Sequence, residues 1–382
     1  MDSDTPIGPG PAASAPPALP AAAAAPPRIS PPPAPRRGRT LWIVLLVVVA
    51  LVVMAALAVS MLIQAVGSLS LGGGPRGSSG PTLQEVVVED NRSRNKIAMV
   101  DLTGIITSTA WDRSGYNLVR LVRDQLRMAG EDDRVHAVLL TIDSPGGEVL
   151  ASDEIARAIG DFQERYGKVV VASMQSLAAS GGYYTAVPCR WIVAHELTLT
   201  GSIGVLMQGY NYRGLMDKLG VRPEVFKSGR FKDMLRGDKL EHEITAEERE
   251  MAQALVDETF ARFKQVVRSG RQAAARVNGE RGRALADNWE EYADGRILTG
   301  QQAYEVGFVD ELGNQETALE RARQLSGITH ANLIRYQRQL DFGSLFRLLG
   351  RTEPATVKVD LGFEVPPLEA GRLYFLAPSP FH

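Results

Sequence analysis

The stretch VHAVLLTIDSPGGEVLASDEIARAIGDF, residues 135–162, decides the fold. Val135 to Ile142 is an apolar run one strand long and without strict alternation, the pattern of a strand buried on both faces of a parallel sheet. Asp143-Ser144-Pro145-Gly146-Gly147 closes it with turn chemistry, and Leu150 to Phe162 then carries a helical pattern. The same unit repeats outward. Ile97 to Leu102 reads as a strand followed by a helix from Leu118 to Met128, and Val169 to Met174 and Trp191 to Ala194 read as two further strands. Alternation of this kind predicts a layered α/β fold with crossover connections. Thr245 and Glu248 have the spacing of a capping box, which predicts a long amphipathic helix through Val267 that stops before Gly270.

The ends of the chain differ from this body. Residues 1 to 35 hold 12 of the 22 prolines and no aromatic residue, so the stretch cannot bury enough apolar surface to offset its chain entropy; residues 1–40 read as a disordered tail. Leu41 to Ile63 runs 23 residues without a charge. As a helix it would reach roughly 34 Å, enough to cross a hydrocarbon layer of about 30 Å once. Arg28, Arg36, Arg37 and Arg39 precede the run and only Arg76 follows closely, which predicts a cytoplasmic tail and an outward-facing remainder. Residues 64–94, with Gly72-Gly73-Gly74 and Ser78-Ser79-Gly80-Pro81, read as a flexible stalk. The folded domain is expected over 95–340, and residues 341–382, with Pro354, Pro366, Pro367, Pro378 and Pro380, show no period that places them.

Charge and cysteine usage exclude several classes. The net charge is −2; residues 1–64 contribute +2, which leaves a mildly acidic body that argues against nucleic acid as a partner. Cys189 is the single cysteine, so there is no internal disulfide framework, and its apolar surroundings read as a small buried residue. No Cys/His spacing points to zinc, and no cofactor is implied.

Four segments join glycine to a polar side chain near the end of an apolar run. In Asp143 to Gly147 the glycine pair can turn bare N–H groups toward a ligand. In Ala178-Ala179-Ser180-Gly181-Gly182-Tyr183-Tyr184 a serine hydroxyl lies beside the Gly181 amide, as a nucleophile next to an oxyanion site requires, although a helix N-cap serine has the same local pattern. Thr200-Gly201-Ser202-Ile203-Gly204 places another hydroxyl in a tight turn, and Phe226 to Asp233 carries Lys227 and Lys232 in what could equally be a solvated basic loop. A serine nucleophile needs a base. Of the five histidines only His195 suits a triad with Ser180. A lysine serves instead if exclusion of water brings its ordinary pKa of about 10.4 toward 7 or 8, so that it is neutral and can accept the serine proton.

Taken in order, these four segments, followed by Asp294 to Ala303 and Gly307-Phe308-Val309-Asp310-Glu311-Leu312-Gly313, resemble the signal peptide peptidase A family, bacterial membrane-anchored serine and lysine proteases with a fold similar to Clp protease and crotonase, a layered β-α superhelix. The resemblance covers roughly residues 95 to 330. It implies Ser180 as nucleophile, Lys232 as general base, Ser202 as the hydroxyl that orients the lysine, and backbone amides at Gly147 and Gly181, with Gly146 adjoining, as the oxyanion site. It further implies remnant signal peptides and similar extended apolar chains as substrates, an inner-membrane location with an extracytoplasmic catalytic domain, and a homo-oligomer, on the pattern of an octamer, in which one copy's lysine meets another's serine. Phe308 stands where the family usually has leucine. Two other readings stay open on the residues alone: a non-catalytic membrane-tethered scaffold that kept the fold, and a crotonase-like enzyme acting on coenzyme A thioesters through Gly146 and Gly147.

Overall fold

The computed structural model describes residues 46–54, 83–110, 116–338 and 373–376. The chain divides into two units, Met1–Gly77 and Ser78–His382. In the first, residues 46–54 are helical (α1), with Leu46, Val47, Val49, Leu51 and Met54 all exposed. The rest of the span expected from Leu41 to Ile63 lies outside the described residues, as does the tail before it. Among the described residues no helix is long and apolar enough to cross a membrane.

The second unit is a mixed α/β layer structure. Its strands are β1 (Leu83–Glu89), β2 (Lys96–Thr103), β3 (Val135–Ser144), β4 (Gly146–Glu148), β5 (Val169–Ala179), β6 (Trp191–Ala194), β7 (Leu199–Gly201), β8 (Leu206–Met207), β9 (Ile297–Thr299), β10 (Glu311–Leu312), β11 (Asn332–Arg338) and β12 (Leu373–Leu376). Its helices are α2 (Leu118–Glu131), α3 (Val149–Tyr166), α4 (Gly181–Ala186), α5 (Arg213–Lys218), α6 (Ala246–Asn278), α7 (Gly300–Val306) and α8 (Gln315–Ser326). The main sheet runs β1-β11-β2-β3-β5-β6-β10, with β7 joining β5 to β9, and a smaller sheet runs β4-β12-β8. From β11 through β10 every neighbouring pair on the main path is parallel.

Parity along the strands explains the layers. Ala98, Val100 and Leu102 of β2 and Val138, Leu140 and Ile142 of β3 pack with Val122 and Leu126 of α2 and Ile155, Ile159 and Phe162 of α3. The alternate residues Ile97, Met99, Ala137 and Leu139 face the other way, onto Ala318 and Ala322 of α8. A strand covered on both faces needs apolar side chains at every position, which is why Val135 to Ile142 shows no alternation.

Three expectations are corrected. Leu83–Glu89 is a strand paired antiparallel with β11, so the stretch read as a stalk over 64–94 is ordered at its end; Val86-Val87-Val88 closes the sheet edge that β11 would otherwise expose. Helix α6 does not stop before Gly270 but continues to Asn278. Gly270 is there for close approach: a Cβ on it would lie 2.4 Å from Val187 Cγ1 and 2.9 Å from the Val187 carbonyl oxygen. Finally, part of the unplaced C-terminal stretch, Leu373–Leu376, is a strand inserted between β4 and β8.

Candidate active site

Strand β5 ends at Ala179, and Ser180 turns the chain directly into α4, all six of whose residues are buried. That turn places Ser180 at φ +54°, a conformation uncommon for a residue with a Cβ and one held only when the surroundings dictate it. They do so on both sides. The Ser180 N–H donates to the Gly201 carbonyl at 2.8 Å, while its own carbonyl accepts from the Tyr184 N–H at 2.8 Å. Behind α4, the Tyr183 hydroxyl donates to the Phe308 carbonyl at 3.1 Å and its ring packs on Phe308, and the Tyr184 hydroxyl donates to Asp153 at 2.6 Å. Burial raises the pKa of both phenols, helped at Tyr184 by the Asp153 carboxylate, so they stay neutral donors.

Ser180 is the N-cap of α4, yet its side chain makes no capping bond, and Ser180 Oγ is buried with no hydrogen-bond partner. Burying a hydroxyl without a partner is costly, so an orphan of this kind marks a place where another group belongs. The N-cap reading of the sequence therefore does not account for it.

The segment Asp143 to Gly147 comes beside the serine because β3 and β5 are parallel neighbours, with Ser144 opposite Ala178. Gly146 has φ +102°, which needs glycine. A Cβ on Gly147 would lie 1.9 Å from the Ile106 carbonyl oxygen, and one on Gly181 would lie 3.1 Å from the Gly147 nitrogen. The two glycines thus allow backbone on backbone where side chains would not fit. Ile106 fixes β4 from one side: its N–H donates to the Gly146 carbonyl at 2.8 Å, and its carbonyl accepts from the Glu148 N–H at 2.8 Å. Because backbone groups alternate along a strand, the Gly147 N–H and C=O face the opposite edge. Nothing in the sequence singled out Ile106; its contribution is entirely main-chain.

Ser202 follows β7 with φ +49°, is nearly buried, and donates its N–H to the Arg296 carbonyl at 2.7 Å. Arg296 in turn is clamped by Asp294, whose carboxyl is drawn down to about 2 by the Arg296 guanidinium. Gly146, Gly147, Ser180, Gly181 and Ser202 are therefore gathered at the ends of β3, β5 and β7.

No hydrogen bond joins Lys232 to Ser180 Oγ within the chain. It is exposed, in a run from Val221 to Arg230 and beyond in which few residues are covered. Its neighbours are fastened: Lys227 pairs with Asp233 at 2.8 Å, and Lys239, nearly buried, pairs with Glu248 at 2.7 Å. Among the described residues Lys232 is the lysine of this segment without an ion pair. Nearby, a cleft of about 580 Å³ lies along β8, lined by Met207, Tyr210, Tyr212, Leu235 and Val256 among others. His195, the alternative base, is exposed at the end of β6, and its Nδ1 accepts from the Leu197 N–H at 3.1 Å, so its imidazole serves a local turn.

One support could not be read from the sequence. Arg271 of α6 is fully buried and grips Asp310 with two hydrogen bonds, at 2.6 and 2.9 Å, while its Nε donates to the Gly307 carbonyl at 3.1 Å. This fixes the segment that carries Phe308 against Tyr183. On a helix of mixed composition, Arg271 looks like one more surface cation.

The sequence pattern of peptidase family S49 matches residues 163–329. A protease homologue from Synechocystis sp. is 39% identical over 236 residues, covering 62% of this chain and 76% of that protein. A signal peptide peptidase homologue, SppA, from Enterococcus faecium is 35% identical over 259 residues, covering 67% of this chain and 71% of that protein. The chloroplastic serine protease SPPA of Arabidopsis thaliana is 34% identical over 205 residues, covering 54% of this chain and 28% of that protein. Ser180, Ser202 and Lys232 all fall within the matched stretch, and the chain belongs to peptidase family S49, the family of the signal peptide peptidase A proteins.

Proposed function

We propose that this peptidase works as a serine endopeptidase whose site is completed by a second copy of the chain. The observation that carries the reading is the buried, unpartnered Ser180 Oγ beside the Gly147 and Gly181 backbone, together with an exposed Lys232 that makes no ion pair among the described residues. Ser180 Oγ attacks the peptide carbonyl and its proton passes to the neutral Lys232 amine of a neighbouring copy. The Gly147 and Gly181 amides hold the oxyanion, and Lys232 returns the proton to the leaving amine. Water then releases the acyl-enzyme, with the same lysine as base. Docking against a neighbour would also remove Lys232 from water, which neutrality of the amine requires. Exposed Tyr210, Leu215, Leu219 and Phe226 on the same stretch would be covered by that contact. Substrates are extended apolar peptides, remnant signal peptides among them, delivered at the membrane in which residues 41–63 anchor the chain. No metal or cofactor takes part.

The test is covalent labelling of the full chain by a serine-directed fluorophosphonate, with peptide mapping, beside turnover of a fluorogenic apolar peptide. The label is expected on Ser180, with turnover lost in Ser180→Ala and in Lys232→Ala. Mixing the two inactive variants should restore part of the activity, because each copy then supplies what the other lacks. Label on another residue, or full turnover by Lys232→Ala, would overturn the mechanism; failure of the mixture would overturn the sharing of the site.

A further inference from the structure

The segment 104–108 runs parallel beside β4, bridged at Ile106 and Gly147. Its main chain gives three bonds: the Gly104 N–H donates to the Asp143 carbonyl at 2.9 Å, and Ile106 takes the Gly146 carbonyl and the Glu148 N–H. Pro145 has no N–H to add, and the Gly146 N–H goes to a side chain instead. Ser144 Oγ accepts it at 3.1 Å and donates to the Gly104 carbonyl at 2.6 Å. One hydroxyl, used as both acceptor and donor, thus ties the turn before β4 to the facing segment. Ser144 is fully buried, and it also lies against the start of α4: a Cβ on Gly182 would be 2.8 Å from the Ser144 carbonyl oxygen. At the other end of β4 the Glu148 carboxylate accepts from the Thr107 hydroxyl at 2.9 Å, the Ser108 N–H at 3.1 Å and the Ser108 hydroxyl. Gly147 lies between these two fastenings.

We propose that Ser144 is a positioning residue for the reaction: its hydroxyl holds Gly146 at positive φ and so aims the Gly147 N–H at the oxyanion. This rests on the reading of Gly147 as a donor to the carbonyl that Ser180 attacks. Glycine takes either sign of φ at little cost, so Gly146 permits φ +102° without selecting it. The Gly146 carbonyl and the Gly147 N–H share one peptide plane, and rotation about the Gly146 N–Cα bond swings both. Ser144 fixes the nitrogen side of that bond and Ile106 fixes the carbonyl side, which leaves the plane one orientation. Without the hydroxyl only the Ile106 bond remains. Because Ser144 takes the Gly146 N–H, Gly146 contributes its conformation and not a third donor. The effect falls on the transition state, where the oxygen carries charge, far more than on the bound peptide. One oxyanion donor is worth about 10²–10³-fold in kcat, and a misplacement of about 1 Å costs up to about 10²-fold. Lost aim with the donor still present should therefore lower kcat about 10–100-fold and leave KM within about twofold.

The experiment uses the full chain and its Ser144→Ala variant with a fluorogenic apolar peptide, and the loss should appear in kcat alone. A peptide aldehyde, whose adduct with Ser180 places an oxyanion in the same site, should bind Ser144→Ala about 10–100-fold more weakly. A fluorescein-labelled substrate peptide, followed by anisotropy, should bind Ser180→Ala and Ser144→Ala/Ser180→Ala equally. A further readout needs no turnover. Hydrogen exchange read by fragmentation mass spectrometry should be about tenfold faster at the Gly146 amide in Ser144→Ala/Ser180→Ala than in Ser180→Ala, while the amides of Leu139 and Leu140 exchange as before. If Ser144→Ala does not fold, Ser144→Cys takes its place, with a thiol of similar size that is a weak donor and acceptor, and kcat should fall about three- to tenfold. A kcat for Ser144→Ala within about threefold of the parent, a loss carried by KM, or unchanged exchange at Gly146 overturns the proposal. If the parent chain neither turns over peptide nor binds the aldehyde, the reading of Ser180 and Gly147 fails, and the exchange comparison still decides whether Ser144 holds Gly146.

Discussion

Replacing Arg271 by Met keeps most of the side-chain length and removes the charge from a site with no access to water. The parent guanidinium makes two bonds to the Asp310 carboxylate and one to the Gly307 carbonyl. Without it, Asp310 keeps only the Ile192 N–H at 2.9 Å and a longer bond from the Arg283 N–H at 3.3 Å. A buried charge left with two neutral donors costs about 3–5 kcal/mol, against a typical whole-domain stability of about 5–15 kcal/mol. Urea unfolding at a fixed protomer concentration should therefore show Arg271→Met destabilised by about 3–5 kcal/mol. Asp310→Leu should also destabilise, because it strands the guanidinium. The double variant should be less destabilised than the sum of the two by roughly 2 kcal/mol, since no unpaired charge remains. A loss below about 1 kcal/mol for Arg271→Met, or strict additivity in the double variant, would refute the account of this pair as a coupled clamp. Because Asp310 lies two residues beyond Phe308, on which Tyr183 packs, the folded fraction of Arg271→Met should also react more slowly with a serine-directed label.

Other predictions follow from the same geometry. Gly147→Ala puts a Cβ 1.9 Å from the Ile106 carbonyl oxygen, which must shift β4 by more than 1 Å and misplace the amide proposed to hold the oxyanion; kcat should fall about 10²–10³-fold, and steady-state kinetics showing less than a threefold loss would remove Gly147 from the proposed site. The Asp294 carboxyl, held at about 2 by Arg296, keeps the turn that presents the Arg296 carbonyl to Ser202. A carboxyl whose pKa is depressed on folding stabilises above its unfolded value and loses that contribution as pH falls through its folded one, so the turn should hold at pH 5 and loosen between about pH 4 and 2. An NMR titration giving Asp294 an ordinary carboxylate midpoint would contradict this.

Much of the site was legible because it is encoded locally. Ser180 stands between small residues and a glycine pair at the end of an apolar run, and Gly146-Gly147 follow another, so chemistry and chain position coincide in both. The N-cap alternative for Ser180 could be set aside only with coordinates, since a capping bond present or absent leaves the same sequence. Lys232 was distinguished from Lys227 by resemblance alone; the ion pairs of Lys227 and Lys239, with none at Lys232 among the described residues, are a tertiary fact.

What the sequence by itself determined is the set of central strands and their helices, because burial on two faces and the 3.6-residue period each impose a composition that can be read along the chain. It also determined which short segments are candidates for the chemistry. Only the tertiary structure decided that β1 closes the sheet against β11, that Arg271 is a buried partner of Asp310, and that Leu373–Leu376 pairs between β4 and β8. Each of these joins residues far apart in the chain through backbone ladders or a single charge pair. Such contacts depend on which edge or pocket is free in the folded body and leave no periodic trace in the residues that fill it.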